Sequence, residues 1–123
     1  MKEKGIDVSD PAETEKFGRY IIDRFRNEMS EKIRCRKKDC NIFYNAGHIG
    51  PHLRRSMDAF SHFELESLPS GWWGYLHFPA TARYAAGLGK PCVGMTGKFH
   101  TEWGDFHSLK NRAALEFECL RIL

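Results

Sequence analysis

Apolar residues recur at helical spacing through the first third of the chain. Four of them follow one another at every fourth position, namely Phe17, Ile21, Phe25 and Met29. This spacing places them on one face of an α-helix. Asp10 and Pro11 form a helix start, because the carboxylate can accept from the first amides and proline needs no amide partner there. The pattern predicts a long amphipathic helix over residues 11–36.

Three shorter segments have the composition of strands. HFELESL, which begins at His62, alternates apolar and polar positions as a half-buried strand does. NIFYNAG, from Asn41, and PCVGMTG, from Pro91, are short apolar runs that end in glycine. Helical patterns separate and follow these strands, in PHLRRSMDAF, in the Ala-rich ATARYAAGLG and in NRAALEFECLRIL. The predicted order of elements is αβαβαβα.

Strands that alternate with helices indicate an α/β fold with a parallel sheet, because parallel strands need crossover connections. The strand starts lie about 20 to 30 residues apart, close to the average period of a (β/α)8 barrel. Three strands cannot close such a barrel, so the chain is either a small open α/β domain or the middle of a larger barrel. We expect the second: an incomplete catalytic barrel segment over residues 1–123, a partial TIM (β/α)8 barrel with about three parallel strands alternating with four helices and no second domain.

Polar residues gather where the predicted strands end, and in parallel α/β folds the site forms at that edge. In the second strand Glu64 and Glu66 point to one face, toward the barrel interior, while Phe63 and Leu65 can pack under helices. Carboxylates in that interior are costly unless paired or used. They therefore either pair with a cation such as Lys98 or take part in substrate binding or chemistry.

The loop KFHTEWGDFH follows the third strand and combines a cation, acids, imidazoles and an indole. Such a set suits a sugar, whose hydroxyls need polar partners and whose apolar face stacks on an aromatic ring. Trp73 on the preceding loop can supply a second wall. Metal binding by His100, Asp105 and His107 is the alternative, but no pair has the one-turn helical spacing of a specific metal motif.

Composition excludes several classes of protein. The net charge of +3 over 123 residues is too small to demand a nucleic acid partner. Four cysteines are not spaced as a zinc ribbon or a disulfide framework. No apolar run reaches the roughly 18 residues of a membrane span, and the chain opens without a signal peptide. We therefore expect a cytoplasmic protein with no metal, no other cofactor, and neither nucleic acid nor membrane as a partner.

Three long motifs resemble a known family: FYNAGH, ELESLPSG-WGY-HFP-TARYA and GMTGKFHT-WGDF-SLKN-AALE-EC. They are similar to the central part of a (β/α)8 glycoside hydrolase-like family related to alpha-L-fucosidases, and the similarity extends from about Gly5 to Leu123. Full-length members often carry a beta-galactosidase-type trimerisation domain, which implies a homo-oligomer. The resemblance implies that the chain spans the fourth to the seventh helix of the barrel. The nucleophile is then expected at the end of the fourth strand, before this sequence.

The resemblance implies a glycosidase that acts on a terminal fucoside or galactoside, with carbohydrate as the substrate. Retaining glycosidases use two carboxyl groups, one as nucleophile and one as acid/base. Here Glu66 is the favoured acid/base, with Glu64 and Asp105 as the other candidates. Hydroxyl and stacking contacts are expected from Asn45, His48, Trp73, Lys98, His100 and Trp103. Glu102 departs from the family pattern and has low weight as a catalyst. The alternative is a catalytically silent barrel relative that binds carbohydrate.

Overall fold

The structure is a computed structural model that describes residues 5–45, 48–99 and 108–122. Its regular elements are α1 (Pro11–Arg36), β1 (Phe63–Ser67), α2 (His77–Ala86), β2 (Cys92–Thr96) and α3 (Arg112–Ile122). Both predicted ends of the first helix are confirmed. Asp10 caps it, since its carboxylate accepts from the amide of Ala12 at 2.8 Å.

Strands β1 and β2 form a parallel pair. The register runs from Phe63 beside Cys92 to Ser67 beside Thr96. Helix α2 makes the crossover between them and packs on β1. Two of the three predicted strands and their parallel direction are therefore confirmed. The structure is an α/β arrangement.

The first predicted strand, NIFYNAG, is wrong for the part that the structure describes. Residues 41–45 have no strand assignment, and Ala46 and Gly47 lie outside the described residues. The physical reason is the single residue Ser61. Its hydroxyl accepts from the amide of Ile42 at 2.7 Å, and its backbone amide donates to the carbonyl of Ile42 at 2.8 Å. One residue thus satisfies both backbone groups of Ile42, and no ladder of paired residues forms.

Two predicted helices have different bounds. The segment PHLRRSMDAF forms two 3-10 turns, Pro51–Leu53 and Met57–Ala59, in place of one continuous helix. The Ala-rich helix begins at His77, three residues earlier than predicted. Pro79 is compatible with this start because the first turn of a helix leaves its amides without helical partners.

The core lies between β1 and the elements that cover one of its faces. Phe63 and Leu65 are 0% and 2% exposed, and they cluster with Phe60, Phe78 and Ala85. This confirms the predicted apolar face of β1. On β2 the same face carries Gly94, where an added Cβ would lie 2.4 Å from Cγ2 of Ile122. Helix α3 can approach the sheet this closely because the residue is glycine.

Helix α1 docks onto the rest of the chain through polar side chains. Ser30 is buried and donates to the carbonyl of Ala59 at 2.9 Å, and the guanidinium of Arg34 donates to the same carbonyl at 3.0 Å. Asp23 accepts from the hydroxyl of Ser56 at 2.8 Å. The predicted apolar face of the helix points elsewhere, with Phe25 55% exposed. A helix normally buries its apolar stripe, so the described residues cover the opposite side of α1 from the one that hydrophobicity favours.

Apolar surface is also exposed on β2. Val93 and Met95 are 52% and 37% exposed, on the face that bears Glu64 and Glu66 in β1. Together with the apolar face of α1, these side chains expose more apolar surface than the scattered apolar residues of a typical monomer do. In the described ranges, no helix combines the length and the apolar character needed to cross a membrane.

We expect the isolated 123-residue chain to self-associate or to be only marginally stable. Ile22 and Phe25 are 50% and 55% exposed on α1, and water contact with such surface favours association. Replacing both, as Ile22→Lys with Phe25→Lys, should move the apparent mass in light scattering toward that of a monomer. The exposed-site control Glu31→Lys should leave the wild-type mass distribution unchanged. A monomeric wild-type chain with one sharp thermal transition would contradict this expectation.

Candidate functional site

Two polar networks meet at the carboxyl edge of the sheet. Ser67 ends β1 and Thr96 ends β2, and the register makes them direct neighbours. Neighbouring residues of paired strands project to the same face, which here is the face covered by helices. Ser67 contacts a histidine pair, whereas Thr96 contacts a buried ion pair. The sequence prediction that polar chemistry collects at the strand ends is thus confirmed in position.

The histidine pair consists of His48 and His77. Nδ1 of His48 lies 2.8 Å from Nε2 of His77, and Nδ1 of His77 lies 3.2 Å from Oγ of Ser67. Trp73 packs against both imidazoles, with ring centroids 5.0 Å from His48 and 4.6 Å from His77. Two of the predicted sugar contacts, His48 and Trp73, are therefore brought together.

The position of His77 explains its charge state. It is the first residue of α2 and is partly buried between Ser67, His48 and Trp73. Burial lowers the pKa of His77 below its ordinary value of 6.5, and the neighbouring His48 lowers it further. Both effects disfavour the imidazolium, because desolvation and a like charge each penalise the charged form. His77 is therefore neutral around neutral pH.

The predicted carboxylates lie on the opposite face of β1. Glu64 is half-buried, and one of its oxygens lies 3.4 Å from Nε2 of His62. Glu66 is only 8% exposed, closer to the end of the strand. Among the described residues, Glu64 therefore faces His62 and not Lys98. The exposed Lys98 places its ammonium 5.1 Å from the centre of the Phe99 ring.

A buried ion pair lies behind the end of β2. Nζ of Lys110 donates to Oε2 of Glu118 at 2.7 Å, and the two side chains are 2% and 3% exposed. Thr96 donates to the same oxygen at 2.6 Å, and Ser70 donates to the other at 3.2 Å. The backbone closes nearby, since the amide of Lys110 donates to the carbonyl of Lys98. This network, hereafter the Lys110–Glu118 network, joins β2, α3 and the turn at Pro69–Trp73, and it holds the base of the loop that follows β2.

The remaining predicted contacts are only partly described. Asn45 is exposed near the start of this edge. His100, Trp103 and Asp105 lie outside the described residues, as do Glu102 and His107. The sugar-binding loop and the alternative metal site therefore stay predictions. In the ranges that the structure does describe, no group of three His, Cys, Asp or Glu side chains could hold a metal ion.

Six residues of the two networks are absent from the sites predicted from the sequence, namely Ser67, Ser70, His77, Thr96, Lys110 and Glu118. Lys110 precedes the first residue of α3, so helical spacing does not relate it to Glu118. No pattern in the sequence shows that Ser67 and Thr96 are neighbours, because this depends on strand register.

Comparison with solved structures gives a match over most of this chain. The chain is similar to alpha-L-fucosidase isoenzyme 2 from Paenibacillus thiaminolyticus, with 44% sequence identity and a TM-score of 0.81. The match covers 94% of this chain and 17% of that protein, so the chain spans about one sixth of its length. No family model and no curated protein matched the chain.

We expect the Lys110–Glu118 network to be strongly coupled. Lys110→Met or Glu118→Leu alone should lower the free energy of unfolding by about 3–5 kcal/mol, because each leaves an unpaired buried charge. The double variant should lose much less than the sum. Urea unfolding of the full-length protein that carries this segment and of its three variants gives the coupling energy. The exposed pair Arg112–Glu116, at 90% and 56% side-chain exposure, is the control and should be worth about 0–1 kcal/mol. Additive losses at the buried pair would contradict the assignment.

We also expect acid to weaken the fold through the histidine pair. The pKa of His77 is lowered in the folded state, so around pH 6.5 and below the unfolded chain binds more protons. Stability is therefore fully present above about pH 6.5 and is lost as the pH falls. The free energy of unfolding in urea is measured between about pH 7.5 and about pH 5.5. In His77→Gln it should depend less steeply on pH than in the unmodified protein. The pKa of His52 is also lowered, mainly by burial, so His52→Gln removes a separate contribution of the same sign. An unchanged slope in His77→Gln would contradict the prediction.

Proposed function

Because this chain is related to alpha-L-fucosidases, we propose that it forms part of the catalytic barrel of a glycoside hydrolase that removes a terminal sugar. Fucose is the first candidate and galactose the second. The observation that carries the proposal is that β1 bears two carboxylates, Glu64 and Glu66, and that its last residue, Ser67, contacts the histidine pair on which Trp73 packs. Carboxylates, an imidazole and an indole at one edge supply an acid/base, a hydroxyl contact and a stacking wall.

The barrel itself is part of the proposal. Exposed apolar residues on α1 and on β2 need covering, and further strands and helices of a (β/α)8 barrel would cover them. A barrel also turns the β1 face that carries Glu64 and Glu66 toward its axis, where substrate binds at the carboxyl end. The assembly implied for the full-length protein, a homo-oligomer, is proposed on the same family relation.

Glu66 is the proposed acid/base. In the first step its carboxylic acid donates a proton to the glycosidic oxygen as the bond to the sugar breaks and a carboxylate nucleophile attacks the anomeric carbon. In the second step the carboxylate of Glu66 takes a proton from water. The oxygen of that water attacks the anomeric carbon and releases the carboxylate nucleophile. The low exposure of Glu66, 8%, supports this role because a general acid must work away from bulk water. Glu64 and Asp105 are the other candidates.

The remaining residues are proposed to hold the sugar. Imidazole, amide and ammonium groups bond hydroxyls, while indoles stack on the apolar face of a sugar ring. Trp73 is suited to stacking because it is only half-buried, and the adjacent Trp72 is 88% exposed. The full proposed set is Asn45, His48, Trp73, Lys98, His100 and Trp103.

A silent carbohydrate-binding barrel is the second candidate. One observation favours it: the carboxylate of Glu64 already faces His62 at 3.4 Å, so at least one acid has a structural partner. In that case the site would bind the sugar without cleaving it. The two candidates differ in turnover and not in affinity, which makes them separable by assay.

The test uses the full-length protein that carries this segment and two kinds of fucoside. An alkyl fucoside needs a protonated leaving oxygen, whereas nitrophenolate leaves readily without a proton. Glu66→Gln should therefore lower kcat/KM for the alkyl fucoside by about 10²–10⁴-fold and affect the nitrophenyl fucoside much less. Asp105→Asn and Glu64→Gln receive the same assay, and the same pair of galactosides tests the second sugar.

Glu116→Gln is the matched control, because Glu116 is exposed on α3, where it forms a surface ion pair with Arg112. Its kinetics should equal those of the unmodified protein. Equal losses on both fucosides in Glu66→Gln would argue against the acid/base role. If no glycoside is cleaved and fucose still binds, the silent candidate is the correct one.

A further inference from the structure

Ser67 has one hydroxyl proton and a restricted choice of acceptor. The residue is 1% exposed, and in the described part of the chain its hydroxyl has Nδ1 of His77 as its hydrogen-bond partner, at 3.2 Å. A buried hydroxyl proton without an acceptor costs about 1–3 kcal/mol. A spare lone pair on the same oxygen is better tolerated, since a hydroxyl has two. Ser67 therefore donates, and Nδ1 of His77 accepts.

This direction determines the protons on both rings. A neutral imidazole that accepts at Nδ1 carries its proton on Nε2. Nε2 of His77 lies 2.8 Å from Nδ1 of His48 and donates to it. His48 then carries its own proton on Nε2. The ring of His48 is exposed, and within the described residues its Nε2 has no partner. The lowered pKa of His77 keeps its ring neutral, as this chain of donors requires.

Trp73 restricts the movement of both rings. Its indole packs edge-on against His77 and tilted against His48, at an interplanar angle of 47° to the latter. A ring flip of either histidine would exchange nitrogen for carbon at the 2.8 Å contact and break it. Packing and hydrogen bonding therefore favour the same orientation.

We propose that Ser67 and His77 are positioning residues that hold His48 as an Nε2–H donor toward the ligand of this edge. The inference rests on the proposed function for its ligand, a sugar hydroxyl. An N–H donor engages the lone pair of a hydroxyl and leaves the proton of that hydroxyl for a carboxylate. The opposite tautomer of His48 would present a lone pair at Nε2 and would itself accept the proton of the sugar hydroxyl. The relay thus selects how a sugar oxygen is bound, although neither Ser67 nor His77 contacts the sugar.

Neutron diffraction from deuterium-exchanged crystals of the full-length protein tests the relay directly. Deuterium is expected on Nε2 and absent from Nδ1 in both His48 and His77. Ser67→Ala removes the donor that favours a proton-free Nδ1 on His77, so the preference of that ring for the Nε2 tautomer should weaken and deuterium should appear on Nδ1 in part of the molecules. Ser67→Thr keeps a hydroxyl and should retain the wild-type pattern. Deuterium on Nδ1 of either ring in the unmodified protein overturns the relay, and this result needs no variant to fold.

Fucose affinity provides the functional readout. Ser67→Ala should weaken fucose binding, measured as the inhibition constant, by about 2–10-fold, and Ser67→Thr should restore it. Ser56→Ala is the matched control, because Ser56 is equally buried and its hydroxyl donates to Asp23, outside both the relay and the Lys110–Glu118 network. Its fucose affinity should equal that of the unmodified protein. Changed tautomers with unchanged fucose affinity in Ser67→Ala would contradict the sugar contact of His48, and so the proposed function at this residue. Unchanged tautomers in Ser67→Ala would overturn the relay whatever the affinity.

Discussion

The parallel pairing of β1 with β2 is the constraint on which the other features depend. Parallel strands require a crossover, and α2 supplies it, so the first residue of α2 returns to the edge where β1 ends. That return brings His77 to Ser67. The same register places Thr96 beside Ser67 and lets Thr96 reach Glu118 on α3. A shift of β2 by one residue would turn Thr96 to the other face of the sheet while Ser67 kept its place, and the Lys110–Glu118 network would lose its strand contact.

The two faces of the sheet have different tasks. The helix-covered face holds the apolar core and ends in hydroxyls that anchor polar networks. Of these, the Lys110–Glu118 network fixes the base of the loop after β2, and the histidine pair orients an exposed imidazole. The other face holds Glu64 and Glu66 among exposed apolar residues of β2. Structural groups and proposed catalytic groups are thus neighbours along β1 that project to opposite faces of the sheet. Rigid buried contacts on one face can therefore support reactive side chains on the other.

Helix α1 illustrates how far hydrophobic pattern alone can predict packing. The pattern correctly predicts the helix and both its ends, because capping and periodicity are properties of neighbouring residues. It does not predict which side docks here, since Ser30 and Arg34 find backbone carbonyls on the turn at Met57–Ala59. The predicted strand from Asn41 was wrong in its described part for a related reason. Ser61, nineteen residues away along the chain, satisfies both backbone groups of Ile42 with its hydroxyl and its backbone amide.

The sequence by itself determined the types of the regular elements α1, β1, α2, β2 and α3, the parallel α/β order and the edge at which polar groups collect. These follow from local spacing, and the residues of β1 also show which face is apolar. Only the tertiary structure decided that His48 meets His77, that Ser67 directs their protons and that Lys110 is buried against Glu118. His48 and His77 are 29 positions apart, and each is an ordinary polar residue in its own segment. Their roles depend on distances of about 3 Å between separate elements, and no local pattern encodes such distances.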